Sequence, residues 1–244
     1  MMHPQTAHVV REVFSSIAGR YDCTNRVLSC GLDFFWRKHV AKMVRQWNAK
    51  HILDLATGSG SLAKVLQKTC PSAKVIGMDF CRPMLLQAKR KGVHTLIYGD
   101  GTSMPFHSAA FDIITIAFGI RNIANYSKVV REIARVLSYR GGLFILDFSL
   151  PKVPWIRMLY RIYLHRLLPR IAAWITGHRQ AYEYLGASIE QFSIDQSLLC
   201  ILEEHGFRKI KIQTLCLGVV TLYVGQRDWS FPSIANSRPA ALGT

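Results

Sequence analysis

The chain has 244 residues, 50% of them hydrophobic, and carries 31 Lys and Arg against 15 Asp and Glu for a formal net charge of +16. That length allows one α/β domain with a large core and leaves little room for a second. No uncharged apolar run reaches about eighteen residues, so no membrane span is expected; six cysteines without a C-x-x-C pair, and no histidine at zinc spacing, read as scattered reduced thiols with no metal site.

The first residues lack a basic flank followed by an apolar core, so no secretory signal is expected and the protein reads as cytoplasmic. Residues 1–48 read as a helical extension. Val9, Val10, Val13, Phe14 and Ile17 form one apolar stripe, and Phe34, Phe35, Val40, Met43, Val44 and Trp47 form another. Apolar runs predict strands near 51–55, 74–79, 94–99, 112–118, 142–148, 208–214 and 217–225. Helical patterns fill 60–69, 82–91, 125–138 and 195–205, and Gly141-Gly142 marks a helix end before the run Leu143 to Leu146. Only Leu215-Cys216 separates the last two strands, which predicts a hairpin. Residues 49–227 therefore read as an α/β, Rossmann-like, doubly wound sheet of seven strands, mostly parallel with one antiparallel strand at its end. From Asp228 onward, Pro232, Ser233, Ser237, Pro239 and Gly243 read as a disordered tail over 228–244.

The most informative stretch is His51 to Leu62, where an apolar strand carries Asp54 near its end and turns through Gly58-Ser59-Gly60 into a helix. Such a turn leaves the first helical amides free to hold a ligand. Asp79 closes the next apolar run nineteen residues after Gly60, where a carboxylate can accept from a ribose diol. Gly58 to Ala63 fits the loose G-x-G-x-x-A form of the dinucleotide fingerprint, and that match alone is weak. Asp54 favours S-adenosylmethionine, because dinucleotide folds usually keep an apolar residue there and an ammonium group needs a carboxylate or carbonyl partner. Asp100, followed by Gly101, ends a third apolar run in position to accept from an adenine amino group. Met104-Pro105-Phe106 and Phe111-Asp112 then lead into a strand ending near Ala117, a pattern that resembles the fourth-strand region of class I methyltransferases. Three acids at three successive strand ends make the composite signal.

The excess positive charge raises two readings. Nucleic acid is the first, since neutralising phosphates contributes more than any other interaction to such binding. A methyltransferase acting on RNA would need a base-stacking pocket or an appended RNA module, and neither is visible, so no nucleic acid is expected. The second is a membrane surface. Between Asp147 and Glu183 there are no acids, whereas Lys152, Arg157, Arg161, Arg166, Arg170 and Arg179 interleave with Trp155, Met158, Leu159, Ile162, Ile171 and Trp174. Arg157, Arg161 and His165 recur every four residues along one face of a helix expected to end before Pro169. A basic amphipathic helix with interfacial tryptophans suits an anionic membrane, and the same segment suits a helix packed over the sheet with a solvated basic rim. The two readings are compatible if 151–192 forms a helical lid over an oily acceptor. The composition is also compatible with a homo-oligomer.

Several segments together resemble the ubiquinone/menaquinone biosynthesis C-methyltransferases. They are Tyr21-Asp22-Cys23-Thr24-Asn25 running to Ser29-Cys30-Gly31 and Trp36-Arg37-Lys38, then Phe118-Gly119-Ile120-Arg121-Asn122, then Arg140-Gly141-Gly142 through Pro151, and Tyr182 to Phe192. These motifs run from about residue 9 to 225 and lie outside the generic cofactor loop. The resemblance implies a class I methyltransferase that methylates a ring carbon of a prenylated quinol; the expectation of peripheral contact with the inner face of the cell membrane rests on the basic helix alone. The resemblance also implies cofactor contacts at Asp54, Gly58, Ser59, Gly60, Asp79, Asp100, Gly101 and Ala117, and a catalytic part for Arg121, which could stabilise a quinol oxyanion, orient a water, or simply pair with an acid. Asn122, Tyr21, Tyr182, Tyr184 and His178 are lesser candidates for acceptor contacts. The chain departs from the family pattern at Ser59 (usually Thr), Ser61 (usually an acid), Ala117 (commonly Ser), Asp147 (usually Glu) and Arg26. The drift at Ser61 and Ala117 leaves a non-catalytic membrane scaffold as a further reading.

Overall fold

Each apolar run that carries an acid near its end becomes a parallel strand, and the helices between them pack on both faces. The computed structural model describes residues 7–228 except 124, 178, 195 and 196, so His178 and the tail after Asp228 lie outside the described residues. The strands are β1 (His51–Leu55), β2 (Lys74–Asp79), β3 (Thr95–Tyr98), β4 (Phe111–Ala117), β5 (Leu137–Phe148), β6 (Phe207–Leu215) and β7 (Val220–Arg227). They form one sheet in the order β3-β2-β1-β4-β5-β7-β6. All neighbours are parallel except β7, which is antiparallel to both β5 and β6. The expected antiparallel strand thus lies one position in from the edge, because the terminal hairpin inserts its second strand beside β5.

The amino-terminal extension is helical: α1 (Ala7–Ile17), α2 (Tyr21–Leu28) and α3 (Leu32–Arg45). Then come α4 (Ser61–Thr69), α5 (Arg82–Arg90) and α6 (Tyr126–Val136), followed by α7 (Pro154–Ile162), α8 (Leu168–Thr176), α9 (Arg179–Ile194) and α10 (Ser197–Glu204). Strand alternation sends Ile52 and Ile113 to one face, where α3, α4 and Ala88 of α5 cover them, and Leu53 and Ile114 to the other, under α6 and α10. In α6, Asn125 caps the first turn by accepting from the Lys128 amide at 3.0 Å, and Val129, Val130, Ile133 and Ala134 give the buried stripe. A third, smaller core joins Ile17 of α1 to Leu164, Leu168, Ala172, Tyr182 and Ile189, so α1 and α7–α9 form a helical roof beside the sheet.

Two local expectations fail for physical reasons. Gly141-Gly142 is not a helix end: β5 begins at Leu137, and a register shift between Phe111 and Ile113 absorbs the irregularity inside the strand. Nor does the basic helix stop before Pro169. It passes through a π-helical turn over Tyr163–Leu167, and Pro169 falls in the first turn of α8, where a missing N–H is tolerated.

Candidate functional site: two adjoining cavities

Parallel pairing brings the strand-end acids to one edge of the sheet. In the β1–β2 ladder Asp54 lies opposite Gly77, and in the β1–β4 ladder it lies opposite Thr115. Asp54 is buried, and its carboxylate accepts from Thr57 Oγ1 at 2.6 Å and Thr115 Oγ1 at 2.7 Å, with the Ala63 amide also directed at it. Asp79 accepts from the amides of Gly58 at 2.7 Å and Cys81 at 2.8 Å. Burial pushes each carboxyl up to about 6 against these donors. A carboxylate has about four acceptor positions, so neither acid is saturated.

The loop is fixed from above by a cluster that the sequence patterns do not single out. Ser59 and Ser61 both donate to Asp22 Oδ1, at 2.6 and 3.0 Å, and Lys91 pairs with Asp22 while donating to Ser59 at 2.9 Å and Ser61 at 2.8 Å. Burial raises the Asp22 pKa, but the bonds from Lys91 and Ser59 outweigh it and hold the carboxyl below its usual range. Asp22 sits on α2 and Lys91 just past α5, so only the folded chain joins them. Ser61 contributes its hydroxyl to this cluster.

Between this loop and the roof lies a cavity of about 60 Å³ lined by Asp54, Gly58, Ser59, Asp79, Ala117, Phe80 and Met84, and by Val10, Phe14 and Tyr21 from above. Gly60 stands behind the lining, with φ +76 and its α-carbon packed towards Ala88 and Val93. Asp100 and Gly101 are not brought to this cavity: Asp100 is exposed past β3, accepting from the Thr102 amide at 2.8 Å. Drug-sized ligands occupy pockets of about 300–1,000 Å³, so this cavity is small, and Val10 and Phe14 of α1 close its upper side.

A second cavity of about 270 Å³ adjoins the first and shares Phe14, Tyr21, Arg37, Phe118 and Asn122 with it. Its other walls are mainly apolar and aromatic, including Ile17, Leu28, Trp36, Phe148, Tyr160, Tyr163, Leu164, Tyr182 and Tyr184. Arg121, on the turn after β4, lines it and is buried. Its Nη1 donates to Asp147 Oδ1 at 2.5 Å and to the Phe118 carbonyl at 2.9 Å, while its Nε is buried with no hydrogen-bond partner. Burial raises Asp147 above the usual carboxylate range although Arg121 opposes the shift. Thus Arg121 both pairs with an acid and faces the apolar cavity. Tyr184 donates to Asn122 Oδ1 at 3.0 Å, and the hydroxyl of buried Tyr182 has no hydrogen-bond partner.

Two unsaturated carboxylates at adjacent strand ends, facing one small cavity, match the chemistry of a donor with an ammonium group and a ribose. The larger apolar one fits a greasy acceptor with a polar atom to meet Arg121.

Both the sequence and the fold are similar to those of known methyltransferases. Residues 1–227 match the model of the ubiE/COQ5 methyltransferase family. The demethylmenaquinone methyltransferase of Thermus thermophilus is 40% identical over 220 residues, covering 88% of this chain and 100% of that one. The ubiquinone/menaquinone biosynthesis C-methyltransferase UbiE of Bdellovibrio bacteriovorus is 35% identical over 229 residues, covering 91% and 97%. Among solved structures, a SAM-dependent methyltransferase from Thermotoga maritima superposes with a TM-score of 0.64 at 15% identity, covering 89% of this chain and 99% of that one, a likeness of fold.

Proposed function

The chain belongs to the ubiE/COQ5 methyltransferase family, and from that premise we propose that it methylates a ring carbon of a prenylated quinol, demethylmenaquinol or a polyprenyl benzoquinol, in respiratory quinone biosynthesis. The observation that carries this reading is the apolar cavity of about 270 Å³ set against the strand-end acids, with Arg121 in its wall. The test is to incubate the protein with labelled S-adenosylmethionine and reduced short-chain demethylmenaquinone or its benzoquinol counterpart, and to look for methylated product by mass. Transfer to RNA alone, or to nothing, overturns the proposal.

When bound, S-adenosylmethionine supplies a methyl group made electrophilic by its sulfonium. The protein's contribution is then alignment, and fixing two reactants in line can provide about 7–11 kcal/mol of the barrier. Asp54 holds the donor's ammonium and Asp79 its ribose hydroxyls, with Gly58, Ser59, Gly60 and Ala117 shaping the cradle. Asp100 and Gly101, at the end of the next strand out, serve the adenine end. Arg121 offers its unpartnered Nε–H to the quinol oxygen, where negative charge makes the neighbouring carbon nucleophilic. Tyr21 and Asn122, shared by both cavities, hold the ring near the donor, and α7–α9 act as the lid.

Donor affinity follows the ionisation of Asp54 and Asp79. Both carboxyls stand near 6, above the usual 3.8. In the donor-free protein the native state therefore binds protons more tightly than the unfolded chain. Stability from these groups is highest below about pH 4 and declines as pH rises through 6. Binding the donor reverses the preference, because the ionised acids are the better partners, Asp54 for its ammonium and Asp79 for its ribose hydroxyls. Affinity for S-adenosylhomocysteine is expected to rise about tenfold or more from pH 5 to 7 and then to level off. Calorimetric titration at pH 5, 6, 7 and 8 measures this, and a flat profile would remove both acids from donor binding.

The acceptor's prenyl tail places it in a bilayer, and the roof is suited to meet one. No helix of the described residues is long and apolar enough to cross a membrane, so contact would be peripheral. Leu164, Leu168 and Ala172 turn inward, while Trp155, Met158, Leu159 and Trp174 are exposed, Trp174 at 89%. Of the basic residues, Arg161 and His165 pair with Glu190 at 2.5 and 2.9 Å. Burying a large apolar side chain contributes about 1.5–3 kcal/mol. Trp155→Glu with Trp174→Glu should therefore lower binding to anionic vesicles more than tenfold in sedimentation. High salt should weaken the wild-type protein's binding. Binding indifferent to both would end the membrane reading.

A further inference from the structure

The donor assigned to the smaller cavity carries one formal anion, the carboxylate of its methionine part, and the protein offers one cation to meet it. Among the described residues lining that cavity Arg37 is the only Lys or Arg, and it lines the acceptor cavity as well. It is 8% exposed and lies on α3. The preceding residue, Trp36, packs against Phe118 and Phe148 with ring centroids 6.0 and 6.1 Å away, which anchors the helix at the site. The guanidinium lies over the Phe118 ring, 5.2 Å from its centroid. Asp33, one turn earlier, accepts from Nη1, and Asp33 is itself held by Ser29 at 3.0 Å. Among the described residues no other hydrogen bond from this guanidinium to the protein is found, although the group has five N–H donors in a planar fork. Arg37 lines both cavities and its remaining N–H groups are not sealed inside the protein, so they are open to a ligand, and a carboxylate matches the fork with two parallel bonds. The acceptor does not need this cation, because Arg121 already serves its cavity.

We propose that Arg37 binds the carboxylate of the methyl donor and so fixes the donor's reach from the glycine loop towards the acceptor cavity. The proposal rests on the methyltransferase reading and concerns a binding subsite, so it is tested by binding alone. The probes are S-adenosylmethionine and its decarboxylated form, which keeps the sulfonium and the ammonium and lacks only the carboxylate. Dissociation constants for both are measured by calorimetry on the wild-type protein and on Arg37→Met. The wild-type protein is expected to prefer the carboxylated donor by at least tenfold, in line with the worth of a charge-assisted bond. Arg37→Met should lose that preference while binding the decarboxylated form as the wild type does, which also shows that the variant is folded. Arg37→Lys should recover part of the preference, since it restores the charge without the fork. A preference retained in Arg37→Met, or equal weakening of both ligands, overturns the assignment, as does a wild-type protein that does not discriminate. Wild-type protein that binds neither ligand would instead overturn the donor reading itself.

Discussion

Arg121→Met should lose about 3–5 kcal/mol of stability and at least a factor of ten in turnover, and the two losses should separate. The stability loss comes from Asp147, fully buried at the end of β5 beside Arg121. Breaking a buried ion pair by removing one partner leaves an uncompensated charge, which accounts for a loss of that size. Asp147 then relies on the amides of Phe148 and Arg121, at 2.8 and 3.4 Å. Its carboxyl, already raised by burial, rises further once the opposing cation is gone. A raised carboxyl costs stability when ionised, so the variant's deficit should shrink as pH falls and the acid becomes neutral. Urea unfolding at pH 5 and 8 measures this. Adding Asp147→Leu removes the buried charge and should recover most of the stability. Turnover should stay low in the double variant, because the Nε donor proposed to meet the quinol oxygen is still missing. Turnover restored along with stability would reduce Arg121 to a structural role.

That pair also marks the boundary of what could be read from the sequence. Arg121 stands out after the fourth apolar run and Asp147 at the end of the fifth, yet nothing in their spacing joins them. Their pairing follows from the parallel register in which Ala117 lies opposite Leu146. Strands β1 and β2 were legible to the residue, because apolar runs ended by acids have few other solutions. β5 was not: Gly141-Gly142 carries the usual mark of a helix end, and only pairing with Phe111 extends the strand back to Leu137. The glycine loop was visible with both its acids. The residues that hold it down, Asp22 and Lys91, sit on separate helical segments whose meeting is purely tertiary. Asp100 is a different case. It repeats the strand-end pattern of Asp54 and Asp79, but β3 is the edge strand, so its end stands apart from the cavity. The acceptor cavity was the least legible feature, because its wall is assembled from α1, α2, α3, the turn after β4 and the α7–α9 roof. Pattern reading finds what one segment does; such a cavity belongs to no segment.

The two loop glycines should fail in different ways when given a side chain. At Gly60, φ is +76 and an added Cβ would stand 2.7 Å from Val93 Cγ2 and 2.8 Å from Ala88 Cβ. Left-handed backbone costs a non-glycine residue about 1–2 kcal/mol, and overpacking a core adds about 1–3 kcal/mol. Gly60→Ala should therefore destabilise the protein by about 2–5 kcal/mol. It also pushes the start of α4 away from α5, carrying Ser59 and Ser61 off Asp22 and Lys91, so donor affinity should fall with stability. At Gly58, φ is +56, and the nearest atom to an added Cβ is Met84 Cε at 3.4 Å, the mobile end of a flexible side chain. Gly58→Ala should cost only the backbone strain of about 1–2 kcal/mol. Gly58 lines the donor cavity, however, and its amide is held by Asp79. A methyl group there narrows a space of only about 60 Å³. The expected outcome is a crossing of effects: thermal unfolding hurt more by Gly60→Ala, and S-adenosylhomocysteine binding, relative to stability lost, hurt more by Gly58→Ala. If both variants lost affinity in proportion to stability, the loop would be acting only as a turn, and its closeness to the ligand would be an incidental result of where β1 ends.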